Sequence, residues 1–582
     1  MSMPGRWRPT GETILFAAAA LLLTLPVLGS LDPTGQLRGS FPGTVQGPGL
    51  TLDEGFNVDV GVRLADSVLS GDLIEYGRRS GELPDHPPFG RLWLGLAHEL
   101  ALLVFPVGRV EGPYVVGLAR TGSAVAFGLT LFLIARIASR LTSDAAVNGA
   151  PTAVAPAGLG LLALVVYGTL PRTFAHAHIA SLESTVALSW AAVVAWLVCR
   201  DDELDRPRVA AGTGFWLGLA CLTKVQGILL GPPLAVWIMC RLGRRGLVPL
   251  AISLSTAAVV FFAGWPWLWS DPVGRTLAYL GRTTQRSPTL VWYGGRVFED
   301  RDVPALYPWT TFAVSLPVLT LVVMLVGAAA VIAGLRSRRD SAAGESDSPT
   351  TERPHYGGRS IGLLTTALFP LGLFTIPGIA VYDGERLFSM VFVVWAVLGA
   401  IGIERITRWM GRGATASARA KITTAVLLGS SVGAGGVMGI AATWPCSLTS
   451  YGLLAGGPAG AARLGLARTY WGDSLCRALL EQVPVHVPKG ATIEILPVMH
   501  PFQIPILAAQ TPALLSGEYR LIPYNTPRPP GRRFLLVFFR DDYLEPPFRQ
   551  AVPPGKPLAE LRRGGVLLGG LYELEPSAGS AD

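Results

Sequence analysis

The chain has 582 residues, half of them apolar, and a mean hydropathy of +0.43. Apolar runs of about 18–22 residues recur far too often for a soluble protein, which makes this a multi-span membrane protein. The formal charge of +8 lies mostly in short loops and forms no basic stripe interleaved with aromatics, which excludes a nucleic-acid partner.

The apolar runs predict about eleven transmembrane helices, over residues 12–31, 113–135, 154–171, 179–199, 207–223, 225–240, 247–269, 310–335, 360–379, 387–404 and 422–443. The first run has no clear small-residue cleavage site after it and reads as an uncleaved anchor. Arginine clusters alternate with the spans: Arg6/Arg8, Arg136/Arg140, Arg200/Arg206/Arg208, Arg241/Arg244/Arg245, Arg336/Arg338/Arg339 and Arg405/Arg408/Arg412 fall on one side. By the positive-inside rule that side is cytoplasmic. The polar segment 336–359 reads as a flexible cytoplasmic loop.

The other side receives the long loop 32–112, the HAHIASLES turn, Lys224, the loop 270–309, the YDGER turn and the tail 444–582. Within the long loop, apolar residues recur at helical spacing from Val58 to Leu73, and a second helix is expected from Arg91 to Val104, both lying in the membrane interface. In the tail, turns alternate with short apolar runs (ATIEILPV, YRLIPY, RRFLLVFF). The fold class is thus an α-helical polytopic membrane domain, residues 1–443, with a small C-terminal periplasmic α/β domain, residues 444–582.

The candidate chemistry lies on that outer side. Asp53 and Glu54 follow the first span; a carboxylate at the membrane surface can act as general base toward a hydroxyl, although adjacent acids are also ordinary in loops. Asp85-His86-Pro87-Pro88-Phe89-Gly90 is a rigid turn whose histidine can bind phosphate or orient a carboxylate. His176, His178 and Glu183 suggest a polar cleft wall or, alternatively, a metal site. Lys224 is one of only four lysines and sits between two apolar runs, where a point cation suits a lipid phosphate or simply snorkels. Asp383, Glu385 and Arg386 belong to a tight YDGER turn, and Arg386 is a second phosphate clamp. Cys446 and Cys476 both follow the last span, where an oxidising compartment would favour a disulfide between them.

These segments resemble the GT-C superfamily of polytopic glycosyltransferases, in particular its protein O-mannosyltransferase (family 39) and aminoarabinose-transferase-like branch. The residues that carry the resemblance are Asp53-Glu54, HPPFGRL at 86–92, Glu183, GLACLTKVQG at 218–227, YDGER at 382–386 and YGLLAGGPAGAARLGLARTYWGD at 451–473. Glu183 stands where an aspartate is commoner, and the tail lacks β-trefoil repeats. Residues 484–582 carry no comparable match.

The resemblance implies transfer of a sugar from a polyprenyl-phosphate donor to a lipid, glycan or protein acceptor on the periplasmic face of a bacterial inner membrane. It assigns Asp53 as base with Glu54 in support, and His86, Lys224 and Arg386 to the donor phosphate. Asp85, His178, Glu183, Asp383 and Glu385 take supporting places. A divalent metal is optional and no other cofactor is implied. The rival classes are a transporter or flippase for a lipid-linked sugar, and a non-catalytic assembly protein that binds through its tail.

Overall fold

The computed structural model describes residues 11–574, apart from 33, 35, 40–45, 106–113, 148–151, 286, 345–355, 412–416, 498, 525, 527–531 and 543–545. All eleven predicted apolar runs become helix, because a backbone in lipid must satisfy its hydrogen bonds within its own segment. In chain order these begin with α1 (Gly11–Leu28), followed by three loop helices, α2 (Glu54–Leu69), α3 (Leu73–Arg79) and α4 (Pro88–Val104). Next come α5 (Val116–Val147), α6 (Pro156–Gly168), α7 (Pro171–Ala177), α8 (Glu183–Arg200) and α9 (Pro207–Thr223). The second half has α10 (Gly231–Leu242), α11 (Leu247–Gly264), α12 (Pro272–Gln285), α13 (Tyr307–Val314), α14 (Val318–Gly344), α15 (Tyr356–Leu373), α16 (Phe392–Met410) and α17 (Ala418–Thr443).

Among the described residues, seven helical stretches are long and apolar enough to cross a membrane. An eighth is added if α6 and α7, bent by 78°, form one broken span. The chain is a multi-pass membrane protein. Two runs expected as separate spans, 225–240 and 247–269, belong to a single 40-residue apolar stretch, Val225–Gly264, that contains α10 and α11. The loop expected over 336–359 is partly helical, since α14 continues to Gly344 and α15 starts at Tyr356; its centre, 345–355, lies outside the described residues.

The loop helices start earlier than their apolar periodicity suggested, at Glu54 and Pro88. Pro88 takes the first helical position, where its missing N–H leaves no bond unmade. α2 and α4 pack backbone to backbone: a Cβ on Gly95 would lie 1.9 Å from the Gly61 carbonyl oxygen. Only glycine permits that approach, which holds Asp53 and His86, at the starts of the two helices, on one side of the pair.

The C-terminal domain holds a five-stranded mixed sheet. The pair β1 (Leu290–Tyr293) and β2 (Arg296–Glu299) forms a separate hairpin in the loop before α13. β3 (Thr492–Leu496) lies between parallel neighbours β4 (Arg520–Pro523) and β5 (Arg533–Phe538). β7 (Val566–Leu574) then pairs antiparallel with both β5 and β6 (Ala559–Arg563), so the order is β4-β3-β5-β7-β6. Every residue of β5 is buried, as a strand covered on both faces requires. One apolar cluster joins Ile493, Phe534 and Phe538 of this sheet to Val58 of α2, Leu94 of α4 and Val116 of α5. The domain therefore shares a core with the loop helices.

Candidate active site

Adjacent acids at the start of α2 have opposite fates. Glu54 is fully buried and saturated: its carboxylate accepts from Arg120 Nε and Nη2 at 2.7 Å each, from the Thr51 amide at 2.9 Å and from the Ala180 amide at 2.7 Å. Arg120 also donates to the carbonyls of Pro48 and Gly49, each at 2.7 Å. Glu54 thus ties α5 to the segments before α2 and α8. The expectation that it supports a base is corrected, since no lone pair faces a cleft. Asp53, one residue earlier, is the N-cap position of α2 but makes no side-chain cap bond. It turns instead to Arg386 Nη2.

Arg386 is the hub. Its Nε donates to Glu183 Oε1 at 3.0 Å, its Nη1 to Asp383 Oδ2 at 2.7 Å and its Nη2 to Asp53, while its guanidinium lies 4.1 Å from the ring centre of Trp471. Lys224 Nζ donates to the same Glu183 Oε1 at 2.5 Å. Lys224 is extended (φ −163, ψ 156) at the break between α9 and the 3-10 turn Val225–Leu230, which is why its side chain points back toward the start of α8. The structure therefore joins Asp53, Glu183, Lys224, Asp383 and Arg386 from four segments. Asp53 is the reachable carboxylate: its side chain is 36% exposed, against 3% for Glu183, 4% for Asp383 and 1% for Glu385.

Several polar atoms beside the hub are buried without a hydrogen-bond partner: Glu183 Oε2, His176 Nδ1, His86 Nδ1 and Trp471 Nε1. Asp85 is a turn brace: its carboxylate receives Arg91 Nη2 at 2.9 Å and the His86 amide at 3.0 Å, and Arg91 also holds Leu83 O at 2.7 Å. Burial pushes the His86 imidazole down to about 4 against the pull of the Asp85 charge, and the cations Arg91, Lys224 and Arg386 push the same way. His86 is neutral at neutral pH.

The HAH histidines diverge. His178 is buried with both ring nitrogens partnered, to Ser30 Oγ at 2.9 Å and Phe174 O at 2.7 Å, and pins the end of α1 to α7. Its expected place beside the site is corrected. His176 instead contacts Tyr470 Oη at 3.2 Å, and Tyr470 donates to Glu385 at 3.3 Å. Glu385 is neutralised by Arg172 and braces the YDGER turn from behind. Among the described residues no group of three His, Cys, Asp or Glu is placed to hold a metal ion, and Glu183 is already engaged by two cations, so the alternative metal site is set aside. Cys446 and Cys476 are brought together in the core with thiols in hydrogen-bond reach, and both are free, so the expected disulfide is not formed in this structure.

Sequence reasoning missed Arg120, Arg172, Trp471 and Arg540. Arg120 was detectable as a charge inside an apolar run. Trp471 lay within the quoted TYWGD stretch without a role. Arg540, in the C-terminal domain, carried no signal at all.

Fold and site together define a polytopic membrane protein with a buried ion-pair cluster contacted by a small C-terminal β-sheet domain. No family profile and no curated protein matches the chain. Among solved structures it is similar to ArnT from Cupriavidus metallidurans in the apo state, at 15% identity over 96% of this chain and 98% of that one, TM-score 0.47. The same protein bound to undecaprenyl phosphate matches at 14% identity over 97% and 98%, TM-score 0.45. The archaeal oligosaccharyltransferase AglB from Archaeoglobus fulgidus, in complex with an inhibitory peptide and a dolichol-phosphate, matches at 10% identity over 87% and 64%, TM-score 0.45.

Proposed function

We propose that the chain is a membrane glycosyltransferase that takes a sugar from a polyprenyl-monophosphate donor and passes it, with inversion at the anomeric carbon, to a hydroxyl of a lipid, glycan or protein. The observation that carries this reading is the one half-exposed carboxylate of the cluster, Asp53, paired with the buried Arg386, which shares Glu183 with the buried Lys224. A base that an acceptor can reach, next to cations that a phosphate can reach, is what displacement of a sugar phosphate needs. The arginine clusters on the opposite helix ends support a periplasmic site in a bacterial inner membrane.

In the reaction, an Asp53 oxygen accepts the acceptor's proton while the acceptor oxygen bonds to the anomeric carbon. The bond from that carbon to the phosphate oxygen breaks, and polyprenyl phosphate leaves with the electron pair. Arg386 and Lys224 meet the charge that grows on the phosphate, from a site already oriented by Glu183 and Asp383. A phosphate that draws Arg386 Nη2 away from Asp53 also frees that carboxylate to act as base. Neutral His86 supplies a hydrogen bond to the phosphate and no charge.

The test is release of sugar from a panel of polyprenyl-phosphate sugars in proteoliposomes, with wild type beside Asp53→Asn. Release by wild type, lost in the variant at equal protein level, supports the reading. Intact carrier crossing to the opposite leaflet, equally in both proteins, overturns it in favour of a flippase.

A further inference from the structure

The C-terminal domain touches the hub in two places. From one side the loop that leaves β5 brings Arg540, whose Nη2 donates to Asp383 Oδ1 at 3.1 Å while Arg386 Nη1 holds the other oxygen of the same carboxylate at 2.7 Å. From the other side Trp471 carries the face of Arg386. Asp383 bridges two guanidiniums from a turn whose backbone sits in the left-handed region at φ 55, a conformation aspartate tolerates, followed by Gly384 at φ 63.

Arg540 is itself fixed. It is 5% exposed, and its Nε is braced by Asp542 at 2.9 Å. Between them in sequence, Asp541 takes the Arg468 guanidinium mainly by Oδ1, at 2.5 Å from Nη2 and 2.9 Å from Nε, while its Oδ2 accepts the Arg468 amide at 2.8 Å. Arg468 lies three residues before Trp471, so one clamp steadies both approaches to Arg386. A chain of alternating acidic and basic residues runs from the C-terminal sheet to the membrane site: Asp542, Arg540, Asp383, Arg386, Asp53.

We propose that Arg540 is a positioning residue: it acts through Asp383 to hold Arg386 at the angle from which it serves both Asp53 and the donor phosphate. This rests on the glycosyltransfer reading above and gives the C-terminal domain a part in it, as the piece that completes the site. A lysine cannot replace the fork, because one ammonium on a flexible stem cannot satisfy Asp383 and Asp542 at fixed spacing.

The test is steady-state sugar release by the full-length protein in proteoliposomes, comparing Arg540→Lys, Arg540→Ala, Asp383→Asn and the double variant Arg540→Ala/Asp383→Asn. Arg532→Ala, at an exposed pair with Glu573, is the control for general damage to the domain. Misplacing a catalytic group by an ångström costs up to about a hundredfold, so Arg540→Ala is expected to lower kcat between about tenfold and a hundredfold, with donor KM changed less than about twofold. Arg540→Lys falls between Arg540→Ala and wild type. Because both residues act on Arg386 through one contact, the double variant is expected to be no slower than the worse single one.

Wild-type kcat in Arg540→Lys and Arg540→Ala, or multiplicative losses in the double variant, overturns the proposal and leaves the glycosyltransfer reading standing. If Arg540→Ala does not fold, Arg540→Lys against Asp383→Asn decides by the same kcat and KM split. Absence of sugar release from wild type with every donor overturns both.

Discussion

The two ends of α8 carry the same ionic arrangement and separate a structural lock from a site. At its start, Glu183 is buried between Lys224 and Arg386. Just past its end, Asp201 is buried between Arg241 at 2.6 Å and Arg359 at 3.0 Å, and also accepts the Trp237 indole at 2.9 Å. A buried acid between two cations is therefore no signature of chemistry. The difference lies in what the cations do next. Arg241 and Arg359 pass on to Asp202, a neighbour of Asp201 in sequence, and so join α10 and α15 to the end of α8. Arg386 passes on to Asp53, from a loop more than three hundred residues away, and to Asp383 and the soluble domain beyond it.

Substitutions should separate the two ends. The largest effect is expected from Asp53→Asn, which removes the base: transfer falls by about 10²–10⁴-fold with thermal unfolding in detergent unchanged. Retention of near-wild-type transfer would remove Asp53 from the mechanism. Asp201→Asn is the mirror case. It leaves two arginines buried beside a neutral group and should cost about 3–5 kcal/mol of stability, read as a lower melting temperature, with kcat of the folded fraction unaltered. Glu54→Gln is expected to behave like Asp201→Asn and not like Asp53→Asn, because Arg120 loses its counter-charge. A kcat loss at unchanged stability would return Glu54 to the site.

Smaller effects come from titration. Burial pushes the Asp542 carboxyl up to about 7 from an ordinary 3.8, with Arg540 pulling it down and Asp383 pushing it up. Between those values the folded protein keeps a proton that the unfolded chain has lost, so stability falls as pH rises through that window. Asp542→Asn should flatten the fall, seen in melting temperature against pH; an unchanged slope would place the titration elsewhere. The smallest effect belongs to His86. Being neutral above about pH 4, it should leave no inflection in the transfer rate between about pH 5 and 8. His86→Asn, which keeps a hydrogen-bond donor, should lower transfer by no more than the worth of one hydrogen bond, up to about tenfold. An inflection near 6.5 that vanishes in His86→Asn would show a charged imidazole at work.

Much of this architecture was legible in the chain itself. The apolar runs became helices at the expected places, and the three short apolar runs of the tail became β3, β4 and β5, while β6 and β7 went unread. Within the site, the residue types were legible and their partners were not. Nothing local separates Asp53 from Glu54, yet one is reachable and the other is locked by an arginine on α5. His176 and His178 are two positions apart and face different neighbours because α7 ends between them.

The sequence alone determined where the chain is helical and which segments are apolar enough to enter a membrane, because in lipid each segment must satisfy its own backbone. It also determined that the candidate acids, histidines and cations of the site fall on one side of the predicted spans. Only the tertiary structure decided which of those groups meet. Ion pairs such as Asp53–Arg386 and Asp383–Arg540 join segments separated by 333 and 157 residues, and their geometry depends on glycine-permitted packing of α2 on α4 and on the seat of the soluble sheet. A charge far along the chain leaves no mark on local pattern, so the hub at Arg386 exists only once the fold has closed.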